Sequence, residues 1–202
     1  DGYSYVPYGK YLKKKNTRKK YLPLMRKSMT NKNLTAKSYR TLRIGEIGCL
    51  QSFIETFKVL LKSKHKRVLI CEDDFKLVPS FREKLLKVSK DIPKDCDVLY
   101  LGISKINYKY GKFKKVNNTI NKPLGSSLPK NIPDSHGAIY GNHGFIINRK
   151  AMKEFIKHSM PMKYAADVLL GKLATKYKLI NSYTLKEDLI ETYNFGSNTI
   201  SK

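Results

Sequence analysis

The chain has no tryptophan, three cysteines and, among 202 residues, only 16 acids against 41 lysines and arginines. Each shortage argues against something. Cys49, Cys71 and Cys96 are odd in number, widely spaced and without a C-x-x-C pair, so neither a disulfide scaffold nor a zinc site is expected. Cys49 and Cys71 fall in apolar elements, where buried free thiols are the expected state. The four histidines form no H-x-x-x-H or H-E-x-x-H, and although His136 and His143 bracket a glycine-rich stretch, paired-histidine metal binding is not expected. No apolar run approaches the roughly 20 residues that span a bilayer, and no signal-peptide pattern is present. The first residue is Asp1, so the natural start is expected to be missing. Targeting is then unreadable; the cytoplasm is the first expectation and the endoplasmic reticulum lumen the second.

What is present is a chain of one-domain length with 41% hydrophobic residues, too apolar for disorder despite a net charge of +25. Of the 41 basic residues only seven are arginine, and asparagine, isoleucine and tyrosine are plentiful, a bias that AT-rich codons produce on a solvated surface. Residues 1–43 nevertheless hold 13 basic side chains and one acid, with Tyr3, Tyr5, Tyr8, Tyr11 and Tyr21 between them. Such a segment suits single-stranded nucleic acid or any anionic partner or acceptor. No nucleic-acid motif supports the first, which ranks second.

Residues 1–43 read as irregular, with one short helix near 21–28. From Ile47 an apolar residue recurs every three or four positions through Leu61, an amphipathic helix. Residues 67–72 read as a buried strand, Ser80 and Glu83 as a capping box opening a helix to Lys90, and 97–102 as a second strand. Helix then strand, twice over, predicts an α/β domain whose sheet is mixed and mainly parallel. Residues 103–135 read as a loop or small hairpin, 137–141 and 143–148 as strand segments, 150–158 and 165–177 as helices, and "LINSY" as a strand. No internal repeat is found.

The acids concentrate at one point: Glu72, Asp73 and Asp74 follow the apolar run Val68-Leu69-Ile70-Cys71. In open α/β sheets, ligands sit at the carboxyl ends of strands. If the extended backbone continues, Glu72 and Asp74 share one face and Asp73 takes the other. Two such carboxylates suit Mn²⁺ or Mg²⁺ bridging to substrate phosphates. A solvated acidic turn, or charges paired with lysines, accounts for the same residues equally well.

"LRIGEIGCLQSF", then "VLICEDDFKLVPSF" and "DVLYLG", resembles glycosyltransferase family 25, the group of lipooligosaccharide and procollagen galactosyltransferases. "GAIYGNHGFIINRKAMKEF", "YAADVLLGKL" and "GSNTI" continue the resemblance in order, and Asp1-Gly2 matches the Asp-Gly closing the family's second strand. The resemblance implies a GT-A fold and a nucleotide-sugar donor, with a uridine diphosphate hexose such as galactose or glucose as the expected one. It implies an inverting transfer to a saccharide or hydroxylysine-type acceptor. Carried over by position, Asp74 would ligate the metal, with Glu72 a nucleotide or outer metal contact and Asp73 beside them. Gly45, Glu46 and Ser52 would line the donor side. Three departures stand out: Phe53 replaces the family histidine, at a position the helical period buries; Thr199, beside Asn198, replaces an aspartate; and the family's first strand and arginine loop would precede Asp1. An N-terminally truncated domain spanning 1–202 is therefore expected. A basic, non-enzymatic polyanion-binding module and an inactive transferase relic are the alternatives.

An inverting transfer needs one general base. Asp97 begins a strand at the end opposite the acids, where a structural role is expected. Glu154 lies among helix lysines, and Asp188 and Glu191 fall in a tail of unreadable path. Asp167 is the selected base, opening a helix beside Ala165 and Ala166, though the helix dipole favours an acid there without catalytic duty and should lower its pKa.

Overall fold

The computed structural model describes Leu42 and residues 44–126 and 139–193. The helix expected at 21–28, the rest of the basic segment and the closing 196–200 lie outside the described residues. In chain order the elements are α1 (Ile44–Lys62), β1 (Arg67–Cys71), β2 (Phe75–Leu77), α2 (Phe81–Ser89), β3 (Val98–Gly102) and α3 (Lys105–Tyr110). Then follow β4 (Gly111–Lys115), β5 (Ile120–Ser126), β6 (Gly144–Asn148), α4 (Arg149–His158), α5 (Ala166–Thr175), β7 (Ser182–Leu185) and β8 (Ile190–Thr192).

Six strands form one sheet in the order β1-β6-β3-β7-β5-β4, and β2 pairs β8 in a separate ribbon. The α/β class holds, but the sheet is not mainly parallel. β6 lies between β1 and β3, antiparallel to both, and among the described residues β3–β7 is the one parallel pair. Helix–strand order along the chain suggested that β1 and β3 were neighbours. The strand that separates them enters from far along the sequence, and local pattern does not encode such a partner.

Period-two alternation divides β3 between two cores. Val98 and Tyr100 join Phe145, Ile147 and the buried faces of α1, α4 and α5, while Leu99 and Leu101 meet Tyr183, Leu185 and Ile190 on the other side. Phe53 is buried, as its helical position predicts, and stacks on Phe145 with ring centroids 5.9 Å apart. Phe57 meets Phe155 edge-on at 5.1 Å. Arg149 donates to the carbonyls of Leu61 (2.6 Å) and Ser63 (2.8 Å), placing a cation where the last carbonyls of α1 need donors.

Asp97 has the structural role expected of it. Its carboxylate accepts from Lys150 Nζ (2.8 Å), Asn148 Nδ2 (2.8 Å) and the Asn181 N–H (2.9 Å), fastening β3, β6 and the approach to β7 together. Burial pushes its pKa up, but these donors prevail and hold it below the ordinary value.

Four local expectations change. The Ser80–Glu83 capping box is not formed: Ser80 is left-handed (φ 57°) instead of extended as an N-cap requires, its side chain makes no cap bond, and its carbonyl accepts from Lys84 N–H at 3.0 Å. The stretch 103–135 contains α3 and the β4–β5 hairpin. Residues 139–142 are not a strand, since Tyr140 exchanges its backbone bonds with the side chain of Asn107 at 2.9 Å and 2.6 Å instead of with a ladder; residues 137 and 138 lie outside the described residues. Cys49 and Cys71 are free, as expected, but only half-buried.

Candidate active site

β1 and β3 both oppose β6, and β7 runs with β3, so the carboxyl ends of all three strands share one edge of the sheet. Glu72, Asp73 and Asp74 leave β1 at this edge. The link from β7 to β8 crosses it, and His143 stands just before β6.

The strand stops at Cys71, so the extended path expected through Asp74 does not form; Asp73 and Asp74 make a turn into β2. Face alternation along a strand therefore cannot assign the three side chains. Exposure nevertheless separates them, with Glu72 and Asp74 half-buried and Asp73 exposed. The turn is held by Glu72 N–H to the His143 carbonyl (3.2 Å) and Tyr193 N–H to the Asp74 carbonyl (2.8 Å). Burial and then the charge of Glu72 push the Asp74 pKa up, with Asp73 adding to it, against its own N–H and His143. Among the described residues, no lysine or arginine forms an ion pair with any of the three.

His143 and Asp188 are the residues that sequence reasoning did not bring here. His143 Nδ1 is 3.6 Å from Glu72 Oε2, too long for a hydrogen bond. The imidazole favours the ionised form of both Asp74 and Asp188. Its ring lies over Gly141, where φ is +71° and an added Cβ would come within 2.8 Å of the ring. A glycine two residues before a histidine was the available signal, but the H-x-x-x-H test does not look for it.

Asp167 is half-buried in the first turn of α5. Its carboxylate accepts from the N–H groups of Gly141 (2.9 Å) and Val168 (2.7 Å). The expected downward pKa shift is reversed: burial raises it, outweighing both N–H bonds, and Glu72 and Glu46 add to the rise. Glu46, in the first turn of α1, and Glu72, Asp73 and Asp167 all act on Cys49; with burial the largest cause, its thiol is pushed up to about 12. Glu46 thus acts on both Cys49 and Asp167, and Gly45 precedes it on the same turn. Ser52 is half-buried further along α1.

The described residues contain no group of three or more His, Cys, Asp or Glu side chains set to hold a metal. Of the described acids, Glu72 and Asp74 are the pair whose chemistry suits a hard divalent cation: Glu72 raises the Asp74 pKa, and among the described residues neither pairs with lysine or arginine.

Residues 8–170 match the model of glycosyltransferase family 25 (LPS biosynthesis protein). The chain belongs to this family. Within glycosyltransferase family 25 it is 33% identical over 87 residues to procollagen galactosyltransferase 2 of Mus musculus, covering 42% of this chain and 14% of that protein. It is 31% identical over 75 residues to procollagen galactosyltransferase 2 of Homo sapiens, covering 36% and 12%. A third match, 33% over 73 residues (35% and 12%), is the human protein named inactive glycosyltransferase 25 family member 3. The chain thus spans only a small part of the family 25 relatives it matches. Among its described residues no helix is long and apolar enough to cross a membrane.

Proposed function

We propose that this family 25 domain is a metal-dependent, inverting glycosyltransferase. It moves a hexose such as galactose or glucose from a uridine diphosphate donor to a saccharide or hydroxylysine-type acceptor. One observation carries the reading: in a chain of net charge +25, Glu72, Asp73 and Asp74 stand together at a carboxyl strand edge with no lysine or arginine paired to them among the described residues.

In this reading Asp74 ligates Mn²⁺ or Mg²⁺, and Glu72 contacts the nucleotide or the outer metal shell, with Asp73 alongside. Gly45, Glu46 and Ser52 line the donor side. When bound, the cation would neutralise charge on the leaving diphosphate. Asp167 takes the proton from the acceptor hydroxyl, and its raised pKa makes it a stronger base than an ordinary aspartate. The basic segment 1–43 favours an anionic acceptor or partner.

Calorimetry with uridine diphosphate, with and without Mn²⁺, tests this. Mn²⁺-dependent binding is expected. Its absence, with steeply salt-dependent binding to single-stranded oligonucleotides, would move the chain to a polyanion-binding module. The matched human protein named inactive supports a second reading, an inactive domain, which would show nucleotide binding without sugar transfer.

A further inference from the structure

Asp188 lies on the link between β7 and β8, a place where an ordinary loop would leave a carboxylate loosely held. This link is fixed instead. The N–H of Leu189 donates to the Leu101 carbonyl at 2.7 Å, and the N–H of Val78 donates to the Leu189 carbonyl at 3.1 Å. Two residues after Asp188, Ile190 is fully buried against the backbones of β3 and β6. A Cβ on Gly102 would strike its carbonyl, and a Cβ on Gly144 would strike its side chain. Glycine at both positions therefore lets the link press onto the edge where the three strands end.

The carboxylate so placed is held from one side. Tyr108 donates its hydroxyl to Asp188 Oδ1 at 2.7 Å. The Tyr108 ring is itself fixed, stacked on Phe113 with centroids 6.3 Å apart. The Tyr108 bond leaves lone pairs of the carboxylate free, since two oxygens offer about four acceptor sites. Among the described residues no lysine or arginine forms an ion pair with Asp188. His143 favours the ionised form of both Asp74, after β1, and Asp188, after β7.

Asp188 and the proposed base Asp167 are held by separate supports: Asp167 by the N–H groups of Gly141 and Val168, Asp188 by the Tyr108 hydroxyl. An acceptor must reach this edge to present its hydroxyl to donor and base, and a second fixed carboxylate there is suited to another of its hydroxyls.

We infer that Asp188, fixed by Tyr108, is an acceptor-binding residue, taking a hydrogen bond from a hydroxyl of a polyhydroxylated acceptor and so setting its position. The inference rests on the glycosyltransferase reading. It makes Asp188 a specificity-determining residue, distinct from the base.

The test compares Asp188→Asn and Tyr108→Phe with the wild-type chain. Uridine diphosphate affinity with Mn²⁺ is measured by calorimetry, and transfer from UDP-galactose is followed to methyl β-galactoside and to free hydroxylysine. Asp188→Asn should raise the acceptor KM roughly tenfold to a hundredfold, the loss of one charge-assisted hydrogen bond. Its nucleotide affinity should stay within about twofold, which also reports an intact fold. Tyr108→Phe, which removes one hydroxyl and little shape, should move the same KM in the same direction by less. An unchanged acceptor KM in both variants overturns the inference while leaving the glycosyltransferase reading intact. A wild-type chain that neither binds uridine diphosphate nor transfers sugar overturns that reading and this one with it.

Discussion

The backbone N–H of Gly141 donates to Asp167 Oδ2 at 2.9 Å, tying the first turn of α5 to the loop that leads into His143. The bond favours an ionised Asp167, and burial works against it and prevails. A carboxylate that is both held in place and raised in pKa is what acid–base work on an acceptor hydroxyl requires.

Asp167→Asn should therefore reduce transfer by ~10²–10⁴-fold while leaving uridine diphosphate and Mn²⁺ affinity in place. The sign with pH follows from the raised pKa. A base is active only when ionised, so wild-type kcat should climb with pH through a value above the ordinary ~3.9 of aspartate. The variant's residual rate should lack that limb. Wild-type activity in the variant would end the assignment, and lost Mn²⁺ affinity would move Asp167 to the metal site.

Asp74→Asn should abolish metal-dependent turnover, and Asp73→Asn should be milder. Their difference in exposure motivates the ordering, because the half-buried Asp74 feels Glu72 before Asp73 while Asp73 itself faces solvent. Titration of each variant with Mn²⁺ under fixed donor gives the comparison. Equal losses would mean that both carboxylates reach the ion from the turn.

Asp97→Asn should cost stability without touching nucleotide binding, since its three donors all belong to the opposite end of the sheet. About 2–3 kcal/mol at neutral pH is expected, limited by the exposed Lys150 partner. The folded pKa of Asp97 is lowered, so its contribution is present above the unfolded value of ~3.9 and disappears as pH falls through the folded one. Urea unfolding of both proteins should show the gap closing in that acid window. A gap that persists there would assign the effect to packing.

Cys49 should resist alkylation. Burial and the surrounding acids push its thiol up to about 12, so almost no thiolate exists at pH 8. Mass spectrometry after brief iodoacetamide treatment should find it unmodified in the folded chain and modified in urea. Rapid labelling of the native protein would show that the N-terminal turn of α1 opens.

Elements that repeat a local period are legible in the order of the amino acids, and so are the side chains that repeat it with them. The α1 stripe that buries Phe53, the β3 alternation and the position of α5 all follow from spacings of two or three to four residues. The clustering of Glu72, Asp73 and Asp74 was equally plain, because it is a property of consecutive residues. Tertiary structure alone decided which strands are neighbours: β6 separates β1 from β3 through hydrogen bonds between residues far apart in the chain, and no local period records them. It also decided that the backbone turns at Asp73 and that Ser80 is left-handed, outcomes set by what each segment must reach next. His143 and Asp188 meet this edge for the same reason. One precedes β6 and the other follows β7, and only the packing of Ile190 onto Gly102 and Gly144 brings the second beside the strand ends. Burial, which raises Asp167 against its helix dipole, likewise exists only once α5 is seated on the sheet.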